Sequence, residues 1–258
     1  MTNRPILVET AEHIGTITLN RPEQMNTFST PLAGDLNQAL VDLDDDPDVR
    51  VIVVAGTGRA FCAGIDLAEY AGKSHGEYRR WVTHMEQMVL TIANMKTPVI
   101  ASARGFAVAN GAGIVLAADL AVIADNTRFA VSAVNIGLFC MGPAVPLTRA
   151  MPRKRAMELL LLGDLISAEQ ALEWGLVNQV VPDDQLEAAT AAMAAKLAAK
   201  SPVAVQMGKQ AIDRMADMPL PEALVYSNEM FASLCVTEDA REGVDAFLNK
   251  RQAVWKGC

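Results

Sequence analysis

Two glycine-containing segments of the sequence have the residue pattern from which a site for a negatively charged oxygen can be built. The first is Gly58–Leu67 (GRAFCAGIDL) and the second is Gly105–Asp119 (GFAVANGAGIVLAAD). Each follows an apolar run and continues into a helical pattern, so unpaired backbone N–H groups are expected where the helix begins. The N–H of Ile65 is the predicted donor in the first segment, and Asn110 or Gly111 would open the second helix. Two such helix starts facing each other would form an oxyanion hole.

One structural interpretation of the two segments stays open, and three other kinds of functional site are not supported by the sequence. Both segments also fit glycine turns that only pack a strand against a helix. A dinucleotide-binding fingerprint would start at Gly56, but its third glycine is replaced by Phe61. The letters of a serine-hydrolase elbow occur at 72–76, after a polar helical pattern instead of a strand. None of the three histidines stands at a metal-ligand spacing, so no metal site is predicted.

The composition indicates a globular chain and excludes several classes of function. Of 258 residues, 51% are hydrophobic and 20% are charged, which is enough apolar material for a large core. The formal net charge of −8 has the wrong sign for a protein that holds nucleic acid through its phosphates. No apolar run reaches the roughly 18 residues of a membrane span, and no export signal is evident, so a cytoplasmic protein is expected. The four widely spaced cysteines are predicted to be free thiols.

The periodicity of apolar residues predicts an α/β core followed by helices. Alternating residues near Ile14 predict an early antiparallel hairpin, and Thr30 before Pro31 predicts the N-cap of an amphipathic helix. Three runs have the apolar character of buried parallel strands, a fourth is similar but carries Asn178 and Gln179, and helical patterns separate them. They are 51–55, 99–103, 120–124 and 176–181. From Pro182 onward only helical patterns occur, with Ser201 and Thr237 at two of the predicted helix starts.

Several stretches, in a fixed order along the chain, resemble one known family. They are NRPEQMN at 20–26, AFCAGIDL at 60–67, the glycine-rich segment at 105–119, LLLGDLISAEQALEWGLV at 160–177 and REGVDAFLNKR at 241–251. The chain resembles the enoyl-CoA hydratase/isomerase (crotonase) superfamily over nearly its whole length. The resemblance implies an α/β fold with a crotonase-like ββα spiral core, expected at 1–200, and a C-terminal helical trimerisation lobe at 201–258. Homotrimers, commonly paired as hexamers, are also implied.

The resemblance implies a coenzyme A thioester as substrate or ligand and no permanently bound cofactor. The family's oxyanion donors map onto the N–H groups of Ile65 and Asn110, and the thioester oxygen would lie between them. Hydratases also use two glutamates, and these positions hold Gly113 and Ala133 here. Because neither residue can transfer a proton, the chain resembles a divergent branch, and ordinary hydratase activity is not expected. Lyase or isomerase chemistry in fatty acid metabolism is the expected class.

Five side chains are candidates to replace the missing glutamates: Asp66, Asn135 and Cys140, with Glu69 and Tyr70 one turn after Asp66. Each also has a structural interpretation. Asp66 can be a first-turn helix residue, Asn135 a turn former and Cys140 a packed side chain. The resemblance also implies a set of coenzyme A-binding positions. They are Gln24, Met25, Ala60, Cys62, Ala63, Gly64, Gly111, Phe247 and Lys250. The last two would reach the site from the C-terminal helix, and Arg21 and Arg59 could add positive charge at its rim.

Three functions therefore follow from the sequence as hypotheses. The first is an acyl-CoA enzyme that polarises the thioester through a two-amide oxyanion hole. The second is a non-catalytic acyl-CoA-binding or scaffold oligomer that kept the pocket and lost the proton chemistry. The third is a peptidase similar to Clp protease on a related spiral fold, which requires a Ser-His-Asp set that the sequence does not readily supply.

Overall fold

The computed structural model describes residues 4–258, which form an α/β fold. The strands are β1 (Ile6–Ala11), β2 (Ile14–Leu19), β3 (Val51–Gly56), β4 (Val99–Ala103), β5 (Phe106–Val108), β6 (Leu120–Ala124), β7 (Arg128–Ala130), β8 (Ile166–Ser167) and β9 (Gln179–Val181). The α-helices are α1 (Thr30–Asp45), α2 (His75–Asn94), α3 (Asn110–Ala117), α4 (Met141–Ala150), α5 (Arg153–Leu162), α6 (Ala168–Glu173), α7 (Leu186–Ala198), α8 (Pro202–Met215), α9 (Leu220–Cys235) and α10 (Glu238–Leu248).

The strands form two sheets. The larger sheet has the order β1-β2-β3-β4-β6-β9, and the smaller one has the order β5-β7-β8. The predicted hairpin is confirmed by the antiparallel pairing of β1 with β2, and the remaining pairs of the larger sheet are parallel. Of the predicted run 176–181, only β9 is a strand. Asn178 before it instead accepts the Ala121 N–H through its side chain (2.8 Å).

Successive turns of the chain build a spiral. One turn runs through β4, β5 and α3, and the next runs through β6 and β7 toward α4. Each of these turns places one strand in the larger sheet and one in the smaller sheet, where β4 pairs with β6 and β5 pairs with β7. Residues at equivalent positions in consecutive turns therefore lie side by side. The α/β core agrees with the apolar pattern of the sequence, and the spiral is the arrangement that the family resemblance implies.

The apolar strands are buried because helices cover both faces of the larger sheet. Val51 and Val53 of β3 pack in a cluster with residues of α7, including Leu186. Ile52 and Val54 point the other way, into the large core shared with α1, α2 and α3. Burial on both faces explains why these strands are apolar at nearly every position, Ser102 of β4 being the polar one.

Helix caps agree with the sequence in most places and differ at α1. Ser201 and Thr237 cap α8 and α10 as predicted, each accepting a backbone N–H of the first turn. The predicted cap at Thr30 is wrong by one residue. Ser29 has the extended backbone of a cap and accepts the Leu32 N–H (3.4 Å), while Thr30 is already helical. Serine and threonine are both good caps, and backbone geometry decides between neighbours.

The described chain after residue 200 consists of helices and a terminal segment. Helices α8, α9 and α10 pack on one another, and the buried carboxylate of Asp239 joins their ends. It accepts the Ser201 hydroxyl (2.7 Å) and the N–H groups of Lys256 (2.7 Å) and Gly257 (3.1 Å). Within residues 4–258 no helix is long and apolar enough to cross a membrane. All four cysteines are free thiols, as predicted.

Candidate functional site

Main-chain pairing places the two predicted donors at equivalent positions. Cys62 pairs in parallel with Ala107 of β5, and its N–H and C=O bond to β5 at 2.9 and 3.0 Å. Ile65 and Asn110 each lie three residues after that pair. The two donors therefore sit on adjacent turns of the spiral in the same register.

Both donor N–H groups lack partners in the described chain. Within residues 4–258, neither the Ile65 N–H nor the Asn110 N–H donates a hydrogen bond. Asn110 is the first residue of α3, where helix geometry leaves N–H groups unpaired. Gly64 has a φ of 99°, and a Cβ there would lie 3.1 Å from the Cβ of Ala109. The residues just before the two donors are thus in direct contact.

The segment after Ile65 is not the helix that the sequence pattern predicted. Only a three-residue 3-10 turn, Leu67–Glu69, follows, and α2 begins later. Asp66 caps this turn by accepting the Ala68 N–H (3.2 Å), and its other oxygen pairs with Arg21 (3.0 Å). Both oxygens of Asp66 therefore hold the loop in place. The first donor is consequently not aided by a long helix dipole.

Gly111 and Cys62 hold the two turns of the spiral together. A Cβ on Gly111 would overlap the Cys62 carbonyl group, so glycine is needed for this close approach. Burial raises the pKa of the Cys62 thiol to about 12, which keeps it protonated. Because β5 bonds to the main chain of Cys62, this residue positions the loop instead of offering free polar groups. The packing interpretation of the glycine turn is correct for Gly111.

A surface pocket lies next to the first donor segment. It has a volume of about 500 Å³ and includes Met25, Ala63 and Asn135 in its lining. The Ala63 N–H donates to the Met25 carbonyl (3.1 Å), and the Asn135 side chain donates to the Gly163 carbonyl (2.9 Å). The structure therefore brings these three predicted residues together.

Asn26 explains why the segment 20–26 has its characteristic sequence. This residue is fully buried, with a left-handed backbone at φ 52°. Its side-chain nitrogen donates to the carbonyls of Thr57 (2.9 Å) and Ala60 (2.8 Å), and its oxygen accepts the Arg21 N–H (2.7 Å). Asn26 thereby positions Met25 against the first donor segment. Ala60 is buried in this arrangement, while Gln24 is exposed in a 3-10 helix at Pro22–Gln24.

Cys140 lies in a different environment from Asn135. Cys140 is buried, whereas Asn135 is exposed at the pocket described above. Burial raises the pKa of the Cys140 thiol, and the nearby Ala133 backbone partly opposes this rise. The charged neighbour of Cys140 is Glu86 of α2, a residue that sequence reasoning missed.

Glu86 places a carboxyl group beside the second donor. Its Oε1 accepts a long hydrogen bond from the Asn110 side-chain amide (3.5 Å), and its Oε2 is buried with no partner within residues 4–258. Burial raises the pKa of Glu86 to about 7, and the Asn110 hydrogen bond partly opposes this rise. A signal existed in the sequence, because Glu86 directly follows Met85 in the buried stripe of α2. The other members of that stripe are Trp81, Met88 and Ile92.

Gly113 and Ala133, the two positions at which the family resemblance implies glutamate in hydratases, border the same region. A Cβ on Gly113 would lie 3.3 Å from the side chain of Pro143, in the first turn of α4. Ala133 lies near Cys140, because its backbone influences the pKa of that thiol. Glu86 is thus a carboxyl group that approaches the region around Gly113 and Cys140 from α2.

The described geometry agrees with comparisons to known proteins. A family model described as enoyl-CoA hydratase/isomerase matches residues 9–258. The chain belongs to the enoyl-CoA hydratase/isomerase family. It is 37% identical to enoyl-CoA hydratase domain-containing protein 3, mitochondrial, of Xenopus laevis, over 97% of this chain and 86% of the relative. It is 35% identical to (E)-benzylidenesuccinyl-CoA hydratase of Thauera aromatica, over 98% of this chain and 100% of the relative.

Solved structures of the enoyl-CoA hydratase/isomerase family have the same fold. An enoyl-CoA hydratase from Mycobacterium smegmatis superposes with a TM-score of 0.94 at 38% identity, covering 97% of this chain and 98% of the other. An enoyl-CoA hydratase from Bacillus anthracis gives a TM-score of 0.94 at 32% identity, covering 98% and 100%. The predicted resemblance and the crotonase fold are therefore confirmed.

Two positions implied by the family resemblance are not joined to the site within this chain. Phe247 is 83% exposed near the end of α10, and Lys250 follows that helix. Helix α10 packs on α8 and α9. Within the described residues, no hydrogen bond or ion pair connects either residue to the donor segments.

The motifs that compete with the family's chemistry have structural roles. Ser74, the serine of the elbow-like letters, caps α2 and donates its hydroxyl to Glu77 (2.6 Å). Across residues 4–258, no histidine is hydrogen-bonded to a serine. His13 and His84 instead bond to backbone carbonyl groups. The same residues contain no group of three side chains placed to hold a metal ion.

Proposed function

We propose that this protein binds acyl-CoA thioesters and polarises the thioester carbonyl between the N–H groups of Ile65 and Asn110. The observation that supports this most is the shared register of the two residues, whose N–H groups lack partners in the described chain. Deprotonation or attack at an acyl group moves negative charge onto the carbonyl oxygen. Each fixed donor of this kind contributes about 2.7–4 kcal/mol to the stabilisation of that charge.

The coenzyme A part of the ligand is proposed to lie along the pocket beside the first donor. Met25, Ala63 and Asn135 supply its wall, and Gln24 is exposed nearby. Arg59 lies with its guanidinium 3.5 Å from the Met25 sulfur and offers a positive charge to the phosphates. Arg21 has less to offer because it is paired with Asp66. Phe247 and Lys250 stay predicted rim residues.

The proposed activation can be tested without knowledge of the natural substrate. Butyryl-CoA is expected to bind about tenfold more tightly than its thioether analogue without the carbonyl oxygen, since two hydrogen bonds are lost. Titration calorimetry measures this difference. A carbonyl labelled with ¹³C should also show a lower stretching frequency when bound. Equal affinities and an unshifted carbonyl band would remove the basis for the proposal.

Incubation of the purified protein with CoA esters distinguishes an enzyme from a non-catalytic binding protein. Hydration through two glutamates is not expected, because Gly113 and Ala133 occupy their positions. Enoyl-, 3-hydroxyacyl- and malonyl-type CoA esters incubated with the protein and followed by mass spectrometry test for turnover. A product supports the enzyme, whereas tight binding with unchanged masses supports the acyl-CoA-binding scaffold.

The C-terminal helices are proposed to join copies of the chain into a trimer, with pairs of trimers forming a hexamer. They carry large apolar side chains that a single chain leaves exposed. These include Leu220, Val225, Phe231, Val244, Phe247 and Leu248, each at least 62% exposed. Light scattering is expected to give three or six times the 27.6 kDa of one chain. Phe231→Glu should lower this mass and Leu7→Glu, on the first strand, should not; a mass of one chain for the unchanged protein would contradict the proposal.

The proposal also includes the cellular compartment of the protein and its small-molecule partner. A cytoplasmic location is the prediction from the sequence, and the Xenopus laevis relative is named as mitochondrial. Fractionation of cells that express the protein at natural levels decides between the two. Acyl-CoA is the proposed small-molecule partner.

A further inference from the structure

The Glu86 carboxyl group is buried among α2, α3 and α4 without a charged partner. Within residues 4–258 it forms no ion pair, and its one hydrogen bond is the long contact from Asn110. Its Oε2 has no partner there. A buried carboxyl oxygen without a partner costs free energy, so its position requires an explanation other than stability.

The surrounding backbone leaves room for this carboxyl group. A Cβ on Gly142 would overlap the carboxyl carbon and both oxygens of Glu86. Gly142 lies in the first turn of α4, where alanine would favour the helix by about 1 kcal/mol. The glycine therefore keeps open a space that Glu86 fills.

The carboxyl group lies beside the proposed oxyanion site. Asn110 uses its backbone N–H as a proposed donor and its side-chain amide to contact Glu86. The positions of the two absent hydratase glutamates border the same region, one through Pro143 and the other through Cys140. Glu86 reaches that region from a third element, α2.

The charge environment allows both protonation states near neutral pH. Burial raises the pKa of Glu86 to about 7. From the loop before α4, Cys140 is the titratable group that faces it, and burial keeps that thiol neutral. From α3, Asn110 supplies an uncharged amide. His84 on the same helix points toward α1, where it bonds to the Thr30 carbonyl (3.0 Å).

We propose that Glu86 is the catalytic base of this site and acts on acyl-CoA thioesters with an acidic C–H next to the carbonyl. The C–H bond breaks, its proton forms an O–H bond on the carboxylate, and its electron pair moves onto the carbonyl oxygen as an enolate. The Ile65 and Asn110 N–H groups hold that oxygen. Return of the proton to the carbon next to the carbonyl, or to the far carbon of a conjugated dienolate, breaks the O–H bond, forms a C–H bond and restores the ionised Glu86 carboxylate for the next cycle. This inference rests on the proposed thioester binding.

Hydrogen exchange tests the base directly. But-3-enoyl-CoA in D₂O should gain deuterium next to the carbonyl, measured by mass spectrometry of the recovered ester and its conjugated isomer. Glu86→Gln keeps the shape of the side chain and should slow exchange at least 100-fold, since a positioned base contributes about 10²–10⁴ in rate. Its affinity for butyryl-CoA should stay within about threefold. Asp213→Asn removes a carboxylate of α8 that is exposed but whose pKa is also raised, and as the matched control it should exchange normally.

Two further variants separate the loss of a base from a folding defect. Glu86→Asp should restore part of the exchange lost in Glu86→Gln, because it returns a carboxylate to the same region on a side chain one methylene shorter. Gly142→Ala should displace the carboxyl group and slow exchange at least tenfold, with no loss of thermal stability. Melting temperatures and circular dichroism confirm that each variant is folded.

The possible failures are distinguishable. If the unchanged protein binds butyryl-CoA with a shifted carbonyl band but exchanges no deuterium, the inference on Glu86 is wrong and the proposed function stands. Equal exchange in Glu86→Gln, or loss of ester binding in that variant, also overturns the inference. If the unchanged protein binds no ester and leaves the carbonyl band unshifted, the proposed function fails first and the inference falls with it.

Discussion

Replacing Asn26 by alanine is expected to lower the free energy of unfolding by about 3–5 kcal/mol. Three backbone groups, on Arg21, Thr57 and Ala60, lose their partner in a region where water does not replace it. Each buried group left unpaired costs about 1–3 kcal/mol. The backbone at φ 52° adds to the loss, because alanine is less tolerant of the left-handed region than asparagine.

The same variant should also weaken the site. Asn26 is next to Met25, whose carbonyl holds Ala63 beside the first donor, so affinity for butyryl-CoA should fall together with stability. Urea denaturation measures the first effect and calorimetry the second. Asn94→Ala, at an exposed asparagine at the end of α2, is the control and should stay within about 0.5 kcal/mol. A loss below 1 kcal/mol for Asn26→Ala would show that the three hydrogen bonds are not needed.

Replacing Glu86 by glutamine is expected to stabilise the protein at pH 8, by up to about 3 kcal/mol. Burial raises the pKa of this carboxyl group from 4.5 to about 7 in the folded protein. Between these two values the folded state binds more protons than the unfolded state, so stability falls as the pH rises through this window. One pKa unit corresponds to about 1.4 kcal/mol, which sets the upper limit. Glutamine has no charge to bury and does not have this loss.

The pH dependence makes this effect specific. The stability of the two proteins should agree near pH 4, where the carboxyl group is protonated in both states, and should differ most above pH 7. Chemical denaturation at several pH values measures the difference curve. Asp213→Asn replaces a group whose pKa is also raised by desolvation, so its stability should shift in the same direction with pH, without any effect on deuterium exchange. A difference that does not vary with pH would contradict the assigned environment of Glu86.

The strands are well predicted from the sequence because strands that are buried on both faces have almost continuous apolar runs. β3, β4 and β6 have helices on both faces, so their runs are apolar except for the buried Ser102, whose hydroxyl is hydrogen-bonded to Thr190. Local polar competition is harder to see. Asn178 shortens the fourth run by bonding to β6 through its side chain, and Asp66 caps a single 3-10 turn that ends before Gly72. Such outcomes depend on contacts that a linear pattern does not contain.

The candidate site is predicted in part for a similar reason. Ile65 and Asn110 follow glycine-rich strand ends, and parallel pairing of successive turns brings such ends together. The role of Glu86 depends on where α2 packs, which its spacing in the sequence does not reveal. Asn135 and Cys140 are five residues apart but lie in different surroundings, because a 3-10 turn at Ala133–Ile136 separates their directions.

The parallel pairing of Cys62 with Ala107 has a consequence for how such a protein can change during evolution. Neighbouring strands lie about 4.8 Å apart whatever their side chains are. An interval of that length suits two amides that share a single oxygen, since each hydrogen bond spans about 2.9 Å. The pairing of the main chain thus fixes the distance between the two amides. Mutations can exchange the side chains around the two amides, and with them the reaction, while the distance between the amides stays the same.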